Sequence, residues 1–335
     1  MTAFSIEPSR LGSHDIFILA DADHGRTVRL ACRGAALIGL EQQVDGVVHQ
    51  LADGYRDSQE LESRPSSRFA IMVPFANRIA DARYTFDGQS HDLQPGVEGA
   101  QRASRHGFVR GVDFDVAIQH VDGDGAHITF VTSAIRPGAF AGYPFAIDLA
   151  VTYTLDARGL SVLASMRNVG DTAAPCFFGW HPYFRIGDSA VDTWELRIPA
   201  TTLVRTDADF IPLPGAAAYQ PLDDAPPALD FRRAKAIGSV EINHGYAHLQ
   251  LDADGRARTR LRDPASGLGV ALWQERGVLL AFTADTVTRD VRRSVALEPM
   301  ESMSDAFNRA DCAGAIRLEP GAERLFRCGV EIDTV

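Results

Sequence analysis

The sequence predicts an all-β protein, large antiparallel sheets packed on one another with few short helices, and three observations predict it. Phe145, Ile147, Leu149, Val151, Tyr153 and Leu155 alternate with other residues, a period of two that gathers one set of side chains on one sheet face. Turn signals such as Asp156-Ala157-Arg158-Gly159 follow the apolar segments, and turns of this composition fold a strand back on its neighbour. Helical periodicity is weak throughout the chain.

Taken in order, Val28, Leu30 and Cys32 form a first short strand, and Asp45-Gly46 joins two more apolar segments as a tight hairpin turn. Tyr84-Thr85-Phe86 is strand-like before Asp87-Gly88. Phe114, Val116 and Ile118 alternate ahead of Asp122-Gly123-Asp124-Gly125, and Ile128 and Phe130 continue beyond it. The segment 145–155 forms a hairpin with Leu160, Val162, Ala164 and Met166. Leu325, Cys328, Val330 and Ile332 predict a closing strand after a turn over Arg317-Leu318-Glu319-Pro320-Gly321. One helical turn is expected over Arg232 to Ile237, stopped by Gly238. Glu60 to Arg68 and Phe210 to Asp230 are expected to be irregular surface loops, the kind of segment that carries binding residues. No repeat or linker divides the chain, so residues 1–335 are expected to form one domain.

Composition narrows the function. Asp and Glu outnumber Lys and Arg by 44 to 33, for a formal charge of −11, which disfavours nucleic acid and anionic membranes as partners, since both call for a concentrated basic face. No apolar run is long enough to span a bilayer, and the N-terminus lacks a basic cluster followed by an apolar stretch; a cytoplasmic location is expected. Cys32, Cys176, Cys312 and Cys328 lie far apart with no Cys-x-x-Cys pair, which predicts small buried or idle thiols in place of a zinc site.

Five segments could carry chemistry. In Phe178-Gly179-Trp180-His181-Pro182-Tyr183-Phe184 the proline biases His181 to extended geometry. An imidazole moves protons near neutral pH, and aromatic neighbours such as Tyr183 suit the C–H faces of a sugar; the bland alternative is a buried, satisfied histidine. Arg78, in Asn77-Arg78-Ile79, offers a planar fork of donors for hydroxyls or a carboxylate, or else a structural salt bridge. His106 precedes Gly107, which would allow close backbone approach. Asn243 opens a polar cluster at the start of a strand, where a plain turn is the simpler reading. Glu298, in Val295-Ala296-Leu297-Glu298-Pro299-Met300, sits among apolar neighbours whose desolvation makes a carboxylate a better base. Glu301 and Asp305 are expected to be surface carboxylates. A metal on His106, His181 and Glu298 is not expected, because no His-x-x-x-His or His-Glu-x-x-His spacing is present. Phosphate loops and Gly-x-Ser-x-Gly elbows are absent too, and only Glu298 has the setting of a glycosidase carboxylate.

In this order, Asn77-Arg78-Ile79, His106-Gly107, Trp180-His181-Pro182-Tyr183-Phe184 and Leu297-Glu298-Pro299 resemble the aldose 1-epimerase (galactose mutarotase) family. Ile211-Pro212-Leu213-Pro214-Gly215, Leu229-Asp230-Phe231-Arg232 and Leu318-Glu319-Pro320-Gly321 add to the resemblance. It implies a β-supersandwich with an open carbohydrate cleft. It also implies that Glu298 is the base taking the C1 hydroxyl proton, His181 the acid protonating the ring oxygen, and His106 a second histidine near the reacting centre. Arg78, with Asn77 and Tyr183 beside it, would hold the sugar. The family often has an aspartate where Asn243 stands, and an asparagine there keeps an acceptor but loses the charge, which bears on substrate identity.

The chemistry suits these residues independently: exchanging α and β anomers needs one group to take the C1 hydroxyl proton and another to protonate the ring oxygen, with no metal or cofactor. Glu298 and His181 are therefore expected to face each other across one pyranose. The expected partner is a small sugar, bound by a monomer or homodimer. Three rivals stand beside this reading. A charged sugar would use cleft arginines, with Arg102, Arg105, Arg110 and Arg185 as candidates; the others are a non-catalytic carbohydrate-binding protein and a polysaccharide-cleaving relative.

Overall fold

The structure, a computed structural model, describes residues 3–99, 102 and 104–334. The central hairpin pairs Ile147–Asp156 with Gly159–Asn168 in unbroken antiparallel register, Asp156 opposite Gly159 and Ile147 opposite Asn168. Ile147, Leu149, Val151, Tyr153 and Leu155 all point into the core, as period-two alternation requires. Each such aliphatic or aromatic side chain contributes about 1.5–3 kcal/mol when fully buried.

This hairpin lies in a nine-stranded sheet that runs from Asp115–Val121 at one edge to Lys235–Ala236 at the other. The closing strand Glu323–Thr334 sits in its interior, with Val330 opposite Leu160 on one side and Leu272 on the other. An eight-stranded sheet orders Tyr219–Pro221, Ala200–Val204, Asn243–Leu249, Val278–Phe282, Val295–Met300, Gly179–Trp180 and Ile71–Met72, and Tyr183–Phe184 also pairs with Val295–Met300. These two sheets are the layers of a β-supersandwich around one core cluster that extends from Phe4 to Ile332. A five-stranded N-terminal sheet, Phe4–Leu11 to Val47–Gln50, covers part of the nine-stranded sheet, with Phe17 edge-on to Phe130 at 6.2 Å. Its last hairpin turns at Asp45-Gly46, both with positive φ, the combination that two-residue turns between twisted strands need.

Several segments differ from the sequence expectation. Arg232 to Ile237 is not a helical turn: Lys235–Ala236 is an edge strand pairing with Leu196 and Glu195. Asp230 accepts the Arg232 backbone N–H and pairs with its guanidinium, a local side-chain bond that competes with helix formation. Glu60 to Arg68 is not an irregular surface loop. It continues a helix over Ser58–Ser63, capped by Asp57 accepting the Glu60 N–H, and it ends with Ser67 and Arg68 buried. Phe210 to Asp230 holds three short 3-10 turns and the strand Tyr219–Pro221. Glu301 and Asp305 are buried, not superficial. Glu301 pairs with Arg276 at 2.7 Å, and Asp305 accepts the Ala80 N–H at 2.9 Å, partners that lie far away in the chain. All four cysteines are free, and Cys176, Cys312 and Cys328 are buried. No helix among the described residues is long and apolar enough to cross a membrane.

Candidate active site

Glu298 lies in the middle of the strand Val295–Met300, opposite Leu280 of the neighbouring strand. On its other side the same strand pairs with two fragments, Gly179 opposite Met300 and Tyr183 opposite Ala296. That shared register, carried across the break at His181-Pro182, puts His181 opposite Glu298, and directly opposed residues present side chains to the same face. The break has a cause: Pro182 has no N–H for the ladder, and its carbonyl accepts the Leu297 N–H. His181 is also fixed on its far side, donating its N–H to Ala70 and accepting from Phe69.

The two side chains touch, with His181 Nε2 3.2 Å from Glu298 Oε1. They stand side by side and do not face each other across a sugar-sized gap, because adjacent strands hold them. Both are buried, yet Glu298 Oε2 and His181 Nδ1 have no hydrogen-bond partner among the described residues. Burial pushes the Glu298 carboxyl up to about 8, with Arg78 partly opposing. Burial also pushes His181 down to about 3, with Arg110 and Arg68 adding to the shift. Desolvation therefore favours a net-neutral pair that holds one proton.

His106 reaches the pair from another segment. Its ring lies edge-on to His181 with centroids 5.0 Å apart, and its Nδ1 is 2.8 Å from Met72 Sδ. Burial and the charges of His181 and three arginines hold it well below the ordinary histidine range. His106 and Gly107 both have φ of 61°, and a side chain on Gly107 would collide with the Val73 carbonyl, where Phe108 donates its N–H. Gly107→Ala is therefore expected to cost more than the ~1 kcal/mol of an ordinary glycine replacement. A lowered Tm would show this, and an unchanged Tm would contradict it.

Asn77, Arg78, Tyr183 and Asn243 line the same cleft as the triad, a polar hollow of about 420 Å³. Asn77 Oδ1 accepts from Arg78 Nη1 at 2.9 Å and from Ser304 Oγ at 3.2 Å, and the Arg78 guanidinium lies over the Phe210 ring. Arg78 makes no salt bridge among the described residues. Tyr183 stacks on His181 with centroids 5.0 Å apart and planes 8° apart, and the fully buried Arg68 covers the Tyr183 ring at 4.8 Å. Tyr183 thus presents its face to the His181 imidazole.

A model of the family described as aldose 1-epimerase matches residues 17–330. The chain belongs to the aldose 1-epimerase family. It is 29% identical over 277 residues to galactose mutarotase of Rattus norvegicus, covering 79% of this chain and 76% of that protein. It is 28% identical to the uncharacterized protein YihR of Escherichia coli K12, covering 76% of each chain. An aldose 1-epimerase of Escherichia coli K12 is also 28% identical, covering 69% of this chain and 67% of its own length. Among solved structures, galactose 1-epimerase from Lactobacillus acidophilus superposes with a TM-score of 0.79 at 15% identity over 99% of both chains. This likeness concerns the fold.

Within this aldose 1-epimerase fold, the absence of a metal-ligand spacing along the sequence did not keep the donors apart: atoms of His106, His181 and Glu298 lie within 4.8 Å of one another, a cluster that could also hold an ion. Of the four arginines considered for a charged sugar, Arg105 and Arg110 line the cleft. Arg102 instead pairs with Asp81 and Asp92, and Arg185 lines a separate hollow and pairs with Asp188. Sequence reasoning missed Arg64, Ser66 and Ser67 on the cleft wall, and Arg68 and Ser304 behind it. Their signal lies in contacts with distant segments and not in any local motif.

Proposed function

We propose that the protein interconverts the α and β anomers of a free monosaccharide by acid–base ring opening and reclosure. The observation that carries this reading is the direct contact of Glu298 with His181 on a cleft wall, each with one buried polar atom unpartnered. The C1 hydroxyl and the ring oxygen are bonded to one carbon, so the groups that serve them must be neighbours. In the working state Glu298 is ionised and His181 protonated, the same net charge as the resting pair. Glu298 takes the C1 hydroxyl proton as His181 gives its proton to the ring oxygen, and the C1–O5 bond opens. Rotation about C1–C2 presents the other carbonyl face, and closure returns both protons. Each proton transfer contributes roughly 10²–10⁴-fold. Arg78 favours ionised Glu298, and with Asn77 and Asn243 it would orient the hydroxyls. The relatives named galactose mutarotase and aldose 1-epimerase support the same reading.

The test is anomer exchange followed by polarimetry or NMR on freshly dissolved α-D-glucose and α-D-galactose. Acceleration over the spontaneous rate is expected, and none across a broad panel of neutral and charged sugars would end the proposal. The pH profile follows from the pair. Its proton is lost as pH rises through about 8, the raised Glu298 value, leaving no acid. A second proton arrives as pH falls through about 3, leaving no base. These limits belong to the coupled pair. kcat/KM is expected to stay level across neutral pH and fall tenfold per unit above about 8; a profile rising steadily to pH 10 would contradict the assignment.

A further inference from the structure

The cleft carries more positive charge than the proton transfers use. Arg64, Arg78, Arg105 and Arg110 all line it, and the one carboxyl among the described lining residues, Glu298, is held toward its neutral form by burial. No ion pair joins any of the four arginines to a carboxylate among the described residues. Their contacts are neutral: Arg64 Nη1 donates to the Glu62 carbonyl, Arg78 to Asn77 Oδ1, and Arg110 to Ser67 Oγ at 2.6 Å and the Arg105 carbonyl at 3.3 Å. Arginines outside the cleft lining do find carboxylates: Arg102 has Asp81 and Asp92, and Arg68 and Arg289 share Asp53. In a chain with a formal charge of −11, four arginines gathered in one hollow with no ion pair to a carboxylate among the described residues, Glu298 and Asp209 acting only at longer range on Arg78, is a specific arrangement.

The backbone enforces part of it. Ser104–Arg105 pairs with Arg78–Ile79 so that Arg105 stands directly opposite Arg78, and like charges so placed destabilise a sheet. Arg64 lies against the backbone of Gly111, next to Arg110, where any Gly111 side chain would meet the Arg64 guanidinium. Burial lowers the affinity of Arg78 and Arg110 for their protons, and Arg105 adds to this at Arg78 and Arg64 at Arg110. A neutral sugar relieves none of this repulsion. An anion would relieve it, because guanidinium groups bind oxyanions through charge-assisted, often paired hydrogen bonds, and the Ser66 and Ser67 hydroxyls on the same wall add donors.

We infer that the cleft takes an aldose bearing an oxyanion, held by Arg105, Arg110 and Arg64 while Glu298 and His181 work at C1. The anion sits on a carbon other than C1, because the C1 hydroxyl and ring oxygen must stay free to react. Carboxylate, phosphate and sulfonate share this chemistry. The inference rests on the anomer-exchange reading above for the reaction, and on the arginine cluster alone for the anion.

The experiment compares kcat/KM for anomer exchange by NMR on D-glucose, D-glucuronate, D-glucose 6-phosphate and 6-deoxy-6-sulfonatoglucose. At least one anionic sugar is expected to exceed glucose about 10- to 100-fold, the size of one charge-assisted hydrogen bond, chiefly through KM. Which sugar leads identifies the oxyanion. The advantage is expected to shrink between about 0.01 M and about 1 M salt. Arg105→Gln, at an exposed position, and Arg110→Gln are each expected to cut the anionic advantage about tenfold; Arg105→Lys should keep part of it. Arg105→Gln should also raise the Tm of the sugar-free protein by removing the opposed charge. Glucose matching or exceeding all three anionic sugars, with a ratio indifferent to both glutamine variants, would overturn the inference. If no sugar is accelerated, the exchange reading fails, and calorimetric titration with the same sugars judges the anion separately. Tighter binding of an anionic sugar, lost in Arg105→Gln, sustains it; equal binding of all four, or none, overturns it.

Discussion

Glu298→Gln is expected to lower the rate of anomer exchange by about 10²–10⁴-fold while making the protein more stable at pH 8. The loss follows from chemistry: an amide cannot accept the C1 hydroxyl proton. The gain follows from burial. The carboxyl is 2% exposed, and its folded-state value is raised from 4.5 to about 8. Between these values the folded protein keeps a proton that the unfolded chain has released, so stability falls as pH rises through this window. Glutamine removes that penalty, which amounts to on the order of 3–5 kcal/mol at pH 8 and vanishes near pH 4.5. Thermal unfolding at both values checks the sign: the variant should melt several degrees higher at pH 8 and level with the parent at the acid end. An equal difference at both would show that the carboxyl is not the cause. His181→Asn is expected to lose activity on a similar scale, about 10²–10⁴-fold, through removal of the acid.

Asp53→Ala is expected to destabilise the fold by about 3–5 kcal/mol, the largest effect predicted away from the chemistry. Arg68 is fully buried, with Nε and Nη2 unpartnered among the described residues. Its charge is matched by Asp53, which also accepts from Arg289 Nη1 at 2.7 Å, and Arg289 continues to Glu60 at 2.7 Å. Removing Asp53 leaves a guanidinium in the interior with no counter-charge, the costly way to break a buried pair. Arg68 covers Tyr183, which stacks on His181, so a shift there would reach the His181 imidazole. Denaturant unfolding measures the loss, and pairing the change with Arg68→Met should recover part of it. A loss under ~1 kcal/mol, the range of exposed pairs, would show that water already solvates Arg68.

Legibility followed the range of the interactions. Alternation over 145–155 and the turns at Asp45-Gly46 and Asp156 to Gly159 were readable because neighbouring residues create them. Glu298 stood out for the same reason, as a carboxylate among adjacent apolar residues. Glu301 and Asp305 were misjudged because their burial is set by Arg276 and Ala80. Arg64 and Ser67 looked like loop residues because only folding turns that segment into a cleft wall. The helical turn expected at Arg232 gave way to a strand because Glu195 and Leu196 supply partners that local periodicity does not contain.

By itself the sequence determined the strand-forming segments, the turns between them and the residue types able to move protons. All of these depend on alternation, backbone preference and side-chain chemistry within a few positions. The tertiary structure alone decided that His181 stands opposite Glu298, that their environment holds them as a neutral pair, and that four arginines share a cleft with no ion pair to a carboxylate among the described residues. Register, desolvation and charge crowding arise between segments remote in the chain, through hydrogen bonds and burial that exist only once the sheets have paired.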